Sequence, residues 1–544
     1  MMDPISIIQQ HKGAESMRLN MCSIWRDVAA HADPLDREIG IDSTAIATPS
    51  ISNGVGIYDS TIKTAAQVYA SGCMSWMTPS ETKWFAYSPP RNLRGDDAAK
   101  SWYSNCTDIA VEILSGTNFY AEIHNVYMTD GPYGTSGLMM REDTRYGLHF
   151  DSLPIGQFSI LEDARHNVDT LFRVFRYSAV QSAKEFGEGA ISQECRDALK
   201  DPLKRDSRDW EYLHYIGPRE QRDRFRKNMQ HAPIASVWID LKEKTVVKES
   251  GFQEQPFAVH RHLRFGQCPY GRSPGMEAIF DARQLNYMQM QLDSLVEKQV
   301  TPPVIAPAGF EGVIDLGAGG LTMTPDMQQR PEYFGNPGNY MVGEDRTEFR
   351  KRQINTAFHV ELFQALASVP VGKTMTAEEV RQRRNDRLPT FSPTFARKNR
   401  EINDPVMRMV FNTLLRLGAF PDPPPNIVQR LPDGSAFVPD PNIIYSSRMA
   451  LALQQIHNDA FLEAMGVAGQ MAQFRPEVLD NFDFDDGMRT FARNLGVLES
   501  HIVPEIQRDQ VRQQRAEAQA AAEEQAAMME EGEVVAKLAP ALKA

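Results

Sequence analysis

The spacing of the apolar residues changes along this chain, and that change constrains the fold more than any other feature. In residues 58–77, 101–128 and 273–300, apolar side chains recur every three or four positions, which is typical of a helix packed on one side. In residues 143–177 and 235–265 they recur at every second position, which indicates strands. The pattern predicts long helices flanking a small β-rich insertion, followed by a helical C-terminal third.

Turn and cap residues place the ends of several of these elements. Residues 164–167 and 242–244 each separate two strand-like runs, so each predicts a hairpin. Ser273 followed by Pro274 is a strong helix start, and the helix that follows is predicted to run for roughly 25 residues. A further, mostly helical segment is predicted over residues 178–201.

Charge and cysteine content narrow the class of protein. The formal net charge of −13 argues against a protein that coats nucleic acid, although an acidic wall would let DNA slide past. The five cysteines are scattered, so we expect a reducing compartment and neither disulfides nor a zinc site. No apolar run approaches the roughly 18 residues of a membrane span, and no signal peptide pattern is present. We therefore expect a protein of the cytoplasm that does not contact a membrane.

Motifs that carry chemistry are absent from the sequence. It contains no phosphate-binding P-loop, no HEXXH zinc motif and no nucleophile elbow. His260 and His262 would share one face of a strand, but no third metal ligand is evident. We therefore predict that the chain is not an enzyme and has no catalytic residues, no cofactor and no metal. Trp84 and Phe85 form an aromatic pair that serves either an interface or the core.

Three segments, in order along the chain, carry a family resemblance. Residues 58–85 read YDSTIKTAAQVYASGCMSWMTPSETKWF, residues 270–307 open with YGRSPG and close with Pro-Pro, and residues 375–386 read MTAEEVRQRRND. Together they resemble the portal (head-to-tail connecting) proteins of short-tailed bacteriophages. The resemblance covers most of the chain, to about residue 505.

The resemblance implies an α+β, mainly helical portal fold with wing, stem, clip and crown regions, assembled as a ring of about twelve subunits. The regions it implies are an N-terminal wing (1–175), a first stem helix (176–205), a β-rich clip (206–266), a second stem helix (267–303), a wing with channel helix and tunnel loop (304–420, loop 367–375), a helical crown (421–503) and an Ala/Gln/Glu-rich tail that is one long helix or disordered (504–544).

The implied function is structural. The ring would form the DNA channel at one vertex of the virion head, for genome packaging, retention and ejection. Its implied partners are further copies of itself, the terminase packaging motor, tail adaptor proteins, the major capsid and scaffold proteins, and double-stranded DNA bound without sequence specificity. The implied location is the virion, and the host cytoplasm during assembly.

The candidate functional residues follow from the same resemblance. In the tunnel loop, Lys373 is the residue we expect to touch DNA; the alternative is an ordinary solvated lysine in a turn between helices. The loop residues assigned to the DNA channel are Val369, Pro370, Val371, Gly372, Lys373 and Thr374. On the helix that follows, the residues assigned to the subunit interface or the channel are Arg381, Arg383, Arg384 and Arg387.

Two other functions remain open from the sequence. One is a different structural protein of the virion, such as a tail adaptor or an internal head protein, which would not need two long helices around a β insertion. The other is a soluble enzyme with an unrecognised site, which a deep apolar pocket in a defined monomer would favour.

Overall fold

The structure is a computed structural model of the 544-residue chain. It describes residues 3–33, 56–143, 147–223, 228–301, 303–311, 313–315, 321–324, 326, 328, 330–333, 340–367, 377–430, 436–472, 474–494, 503 and 507–520. The chain divides into two compact units, Met1–Arg448 and Met449–Ala544, which are treated separately below.

The first unit mixes helices and strands. Its helices are α1 (Pro4–Ala32), α2 (Thr61–Met77), α3 (Asp97–Gly116), α4 (Phe119–Tyr133), α5 (Ala179–Phe186), α6 (Gln193–Lys200), α7 (Pro274–Val300), α8 (Tyr340–Ala357), α9 (Val360–Ala367), α10 (Ala377–Lys398) and α11 (Asp404–Arg416). Its strands are β1 (Phe85–Ser88), β2 (Thr135–Asp143), β3 (Gly147–Leu153), β4 (Phe158–Glu162), β5 (Val168–Tyr177), β6 (Trp210–Pro218), β7 (Ile234–Asp240), β8 (Thr245–Phe252), β9 (Phe257–Arg261), β10 (Val304–Ile305), β11 (Glu332–Tyr333), β12 (Gln429–Arg430), β13 (Ala436–Phe437) and β14 (Asn442–Tyr445).

A five-stranded antiparallel sheet, in the order β4-β5-β6-β7-β8, contains both predicted hairpins. The β4–β5 turn is held by Asp163, whose side chain accepts hydrogen bonds from the backbone N–H groups of Arg165 and Asn167. Helix α1 covers one face of the sheet. There Ile7 and Ala14 pack with a buried set contributed by β5, β6 and β7: Phe172, Leu213, Tyr215, Ala235, Val237 and Ile239.

The sheet joins regions that the sequence analysis had separated. Strands β6, β7 and β8, which lie in the expected clip region, continue the sheet begun by β4 and β5. Strand β9 leaves that sheet and pairs instead with β2, in a three-stranded sheet ordered β3-β2-β9. The β-rich character of residues 206–266 is confirmed, but these residues do not form a sheet of their own.

Helix α7 is the long helix that Ser273 and Pro274 predicted. The Ser273 hydroxyl accepts a hydrogen bond from the backbone N–H of Met276 and donates one to the Pro132 carbonyl oxygen. The helix has 27 residues, which corresponds to about 40 Å at 1.5 Å per residue. At its start it lies so close to the end of α4 that a Cβ on Gly275 would stand 2.5 Å from the Pro132 carbonyl oxygen. Only glycine permits this approach.

The segment over residues 178–201 is mostly helical, as predicted, but it is not the one stem helix that the resemblance implied over residues 176–205. Two helices of eight residues each, α5 and α6, lie there instead. Gly187 ends the first with φ of 83°, and the Ser192 hydroxyl caps the second by accepting a hydrogen bond from the Cys195 N–H. The buried residues Ala179, Ile191, Cys195 and Ala198 form a small cluster, against which Trp210 of β6 packs. This segment is therefore a short helical pair fastened to the sheet.

Helix α10 continues past two prolines, a residue type that usually bends or ends a helix. Pro389 and Pro393 are exposed, whereas Leu388 and Phe391 are fully buried on the other side of the helix. Each proline removes one backbone donor, and the carbonyl groups so freed face the solvent side, where water can satisfy them. Burial of the apolar side then keeps the helix continuous to Lys398, where a π-helical turn, Asn399–Asn403, leads into α11.

The second unit is helical in its described part. It contains most of α12 (Arg448–Ala472), followed by a 3-10 turn (Pro476–Asn481) and α13 (Phe484–Asn494), and residues 507–520 are also helical. Arg512 binds Asp485 through both terminal guanidinium nitrogens, and Gly487 lies against the ring of Phe461. Among the described residues of the whole chain, no helix is long and apolar enough to cross a membrane.

Candidate functional site

The residues assigned to the tunnel loop, Val369 to Thr374, lie outside the described residues, so the role given to Lys373 stays a prediction. The four interface or channel arginines, Arg381, Arg383, Arg384 and Arg387, lie on the first half of α10. The structure describes the backbone at these positions but not their side chains, and their role also stays a prediction.

The second half of α10 and the end of α8 are held by an aromatic cluster around Tyr69 of α2. The Tyr69 ring lies 6.3 Å from Phe358, 6.0 Å from Phe363 and 6.5 Å from Phe391, each in an edge-on arrangement. Such contacts stabilise a core beyond the area that they bury. Helices α9 and α10, which flank the predicted loop, are thus both anchored on α2.

Beneath this aromatic cluster lies a fully buried ion pair between Asp130 of α4 and Lys398 at the end of α10. The Lys398 ammonium contacts Oδ2 of Asp130, and the Tyr69 hydroxyl donates a hydrogen bond to the same oxygen at 2.7 Å. Nδ1 of His262 approaches Oδ2 at 3.3 Å, and Nε2 of His260 approaches Oδ1 at 3.4 Å. We call these five residues the Asp130 lock.

The ammonium group of Lys398 is also placed over two aromatic rings. It lies 5.3 Å from the centre of the Tyr69 ring and 5.1 Å from that of Tyr127. A cation in this position is attracted by the negative face of each ring, most strongly where water is excluded. The rings therefore offset part of the cost of burying the charge of Lys398.

A second layer of charges surrounds the lock. Glu401 of the π-helical turn accepts hydrogen bonds from the backbone N–H of Arg261 and from its Nη2, at 2.8 and 3.1 Å. Nδ1 of His260 lies 3.4 Å from Glu401. Arg261 also binds Glu162 of β4. These contacts tie the start of α11 to strand β9 and to the five-stranded sheet.

The environment fixes the charge states of the central groups. Burial alone would raise the pKa of Asp130, but Lys398 and the two histidines hold it well below its usual range. Burial lowers the pKa of His260 and outweighs the opposing effect of Asp130. For Glu401, His260 and Arg261 outweigh burial and lower the pKa. At neutral pH Asp130 and Glu401 are therefore both carboxylates, and His260 between them is neutral.

The lock supplies the third potential metal ligand that the sequence did not reveal. One ligand atom each from Asp130, His260 and His262 lie within 4.8 Å of one another. The Lys398 ammonium already neutralises the Asp130 carboxylate, however, and a divalent cation beside it would add uncompensated buried charge. The geometry is that of an ion pair with hydrogen-bonding neighbours, which suits a structural role.

Trp84 and Phe85 lie in the core. Both are fully buried, and the Trp84 ring stacks 6.3 Å from Phe119 and 6.2 Å from Tyr445 of β14. Of the two uses left open by the sequence, the structure supports core packing, since these rings join the N-terminal helices to the last strand of the first unit.

Known proteins that match this chain define its class, a structural protein of the phage head-to-tail junction. The family described as "Bacteriophage head to tail connecting protein" matches residues 6–503. The chain belongs to this family, and the family predicted from the three sequence segments is confirmed.

Individual relatives carry portal names. The probable portal protein of Bordetella phage BPP-1 is 29% identical over 492 residues, which cover 89% of this chain and 86% of the relative. The portal protein of Salmonella phage epsilon15 is 27% identical over 526 residues, which cover 95% of this chain and 92% of the relative. Among solved structures, the neck of an empty gene transfer agent particle aligns at 12% identity with a TM-score of 0.36, covering 78% of this chain and 89% of that one.

The lock makes a prediction about stability. Replacing Lys398 with Met leaves the Asp130 carboxylate buried without its cation, which should lower the free energy of unfolding at pH 7.5 by about 3–5 kcal/mol. Without Lys398, burial should raise the pKa of Asp130 above its unfolded value. The difference in the free energy of unfolding between wild type and the variant should then shrink as the pH falls toward 5, because a protonated Asp130 is neutral and needs no counter-ion.

The control for this measurement is Lys83→Met, which removes an exposed ion pair with Asp108. That change should cost about 0–1 kcal/mol at either pH. Urea unfolding of each variant and of wild type at both pH values gives the comparison. A Lys398→Met penalty that is small, or the same at both pH values, contradicts the charge assignment.

Proposed function

We propose that this chain is a structural portal subunit that assembles into a ring around a DNA channel at the head-to-tail junction. Family membership over residues 6–503 is the observation that carries the proposal. The portal names of two relatives that align over most of their length support it. The proposed work of the subunit is structural, with the energy for packaging supplied by a separate motor.

Helix α7 is the element of the described fold that we propose lines the channel. This helix is 27 residues long, and its second half, from Tyr287 to Val300, has many exposed side chains while its first half is buried against α1 and α4. A helix that is rooted in the core at one end can present its other end to a neighbouring subunit or to a channel. We assign α7 to the stem of the ring.

The first stem helix needs a different assignment from the one in the sequence analysis. Helices α5 and α6 each span only about 12 Å, at 1.5 Å per residue, and both lie on the five-stranded sheet. We propose that they belong with β4–β8 to one body that meets the packaging motor and later the tail adaptor. The wing and crown assignments of the remaining regions are kept as proposals.

We propose that the segment between α9 and α10 forms the tunnel loop, with Lys373 facing the DNA backbone. Its support is indirect: the two helices that flank the segment contact Tyr69 through Phe363 and Phe391. One lysine per subunit would give a ring of single charges that contacts phosphates without reading bases. The further partners proposed are the capsid and scaffold proteins around the ring.

The ring predicts the mass and shape of the purified protein. Light scattering on a sizing column should give a particle of about twelve chains, and negative-stain images should show a central hole, as expected for heterologous contacts that close by rotation. A chain that stays monomeric across salt and protein concentration, and that capsid or scaffold protein does not drive into a ring, contradicts the proposal.

The tunnel loop predicts a separate defect in packaging. Lys373→Glu should leave ring formation unchanged but reduce the DNA packaged or retained per head, because the reversed charge repels phosphate. Lys100→Glu, at an exposed position on α3, is the matched control and should package normally. A normal DNA content with Lys373→Glu would contradict the proposal that Lys373 faces the DNA, and it would leave the ring proposal intact.

A further inference from the structure

A polar cleft of about 840 Å³ opens beside the Asp130 lock, in the first unit. Its walls are the turn between β4 and β5, strand β9 with the residues that follow it, and the junction of α10 with α11. Six arginines line it. Arg261 and Arg408 are paired with carboxylates, and Arg165 is exposed in the β4–β5 turn. The other three come from different elements: Arg264 after β9, Arg397 in the last turn of α10, and Arg400 in the π-helical turn. Neither the lock nor the proposed channel uses them.

These three guanidinium groups lack acceptors in the part of the chain that the structure describes. Nε of Arg264 and Nη1 of Arg397 are withdrawn from solvent and have no hydrogen-bond partner there. The guanidinium of Arg400 is exposed and forms no ion pair with a described carboxylate. A buried charged donor without an acceptor is costly, so an acceptor that enters the cleft would be bound favourably.

Each carboxylate in the wall of the cleft already has a partner, although Oε1 of Glu254 forms no hydrogen bond and lies 3.8 Å from Arg416. Glu401 binds Arg261, the Tyr445 hydroxyl donates a hydrogen bond to Asp404, and Asn412 donates one to Glu254 at 2.8 Å. Burial also raises the pKa of both Glu254 and Asp404, which weakens the negative charge that they present. The cleft therefore presents an excess of positive charge, although the chain as a whole carries −13.

We propose that this cleft binds a phosphate group, held by Arg264, Arg397 and Arg400. Guanidinium groups match phosphate oxygens through paired, parallel N–H donors, and such charge-assisted hydrogen bonds are strong. A phosphate monoester carries about −1.5 to −2 charges and three acceptor oxygens, which is enough acceptors for three guanidinium groups. A single carboxylate has one charge and two oxygens, and it would leave more of the guanidinium N–H donors without an acceptor.

The walls also bear on the source of the phosphate. The cleft is bounded on three sides by the turn, the strand and the helix junction, which favours a free or terminal phosphate over the continuous backbone of a duplex. Free phosphate and the phosphorylated end of a nucleic acid share the chemistry that the cleft recognises. The proposal does not depend on ring assembly, since every residue in it belongs to one subunit.

The test is titration of the full-length protein with inorganic phosphate by calorimetry, at constant ionic strength set with potassium chloride. Wild type should bind phosphate saturably. Arg264→Gln combined with Arg397→Gln should weaken the apparent affinity by roughly ten-fold or more, as loss of charge-assisted hydrogen bonds implies. The control variant, Arg94→Gln with Arg475→Gln, removes two exposed guanidinium groups elsewhere and should bind as wild type does.

Further titrations separate the sources of the ligand. A short single-stranded oligonucleotide with a 5′-phosphate that binds more tightly than inorganic phosphate, and more tightly than its unphosphorylated form, would assign the cleft to nucleic-acid ends. Equal or weaker binding of that oligonucleotide would assign it to free phosphate. The proposal is overturned if wild type shows no saturable phosphate binding, if both double variants bind equally, or if a decapeptide of glutamate binds where phosphate does not. Circular dichroism of both variants checks that they fold.

Discussion

The buried contact between Asp130 and Lys398 is the interaction on which the arrangement of the first unit depends. It joins residues 268 positions apart, and it brings α4, β9 and α10 to one point. Burying two charges costs several kcal/mol per ion. The pair is tolerated because Tyr69 and His262 contact the carboxylate, and because the rings of Tyr69 and Tyr127 lie against the ammonium group. Removing either partner leaves a buried charge without its counter-ion. The pair therefore favours the packing of α4, β9 and α10 that brings the two charged groups together.

This arrangement matters for a protein whose proposed work is mechanical. Helix α10 begins after the predicted DNA loop and ends at Lys398 in the lock. The π-helical turn that follows contacts β9 through the ion pair of Glu401 with Arg261. A load on the loop would therefore be transmitted to both sheets through charged contacts, in addition to the aromatic packing of Tyr69 and Phe391. The net charge of −13 makes the chain as a whole poorly suited to coat DNA.

What the sequence predicted well was local. The hairpins at residues 164–167 and 242–244, the cap at Ser273 and the length of α7 each depend on neighbouring residues, and all are confirmed. The one stem helix implied over residues 176–205 was wrong because the positive φ of Gly187 and the cap at Ser192 divide the segment, and a helical composition does not show such breaks. The lock was missed because its members are scattered. The signals in the sequence were His260 and His262, which share one strand face, and Asp130, which continues the buried stripe of Ile123, Val126 and Tyr127.

The role of the chain at the head-to-tail junction is tested most directly by its position in the particle. Antibody fragments raised against the purified protein can be added to opened heads made by the phage that encodes it, and located by electron cryomicroscopy. The account predicts label at a single vertex of each head, the one that carries the tail. Label spread over the shell, or present on tails but absent from heads that lack them, would contradict it and would favour another structural protein of the virion.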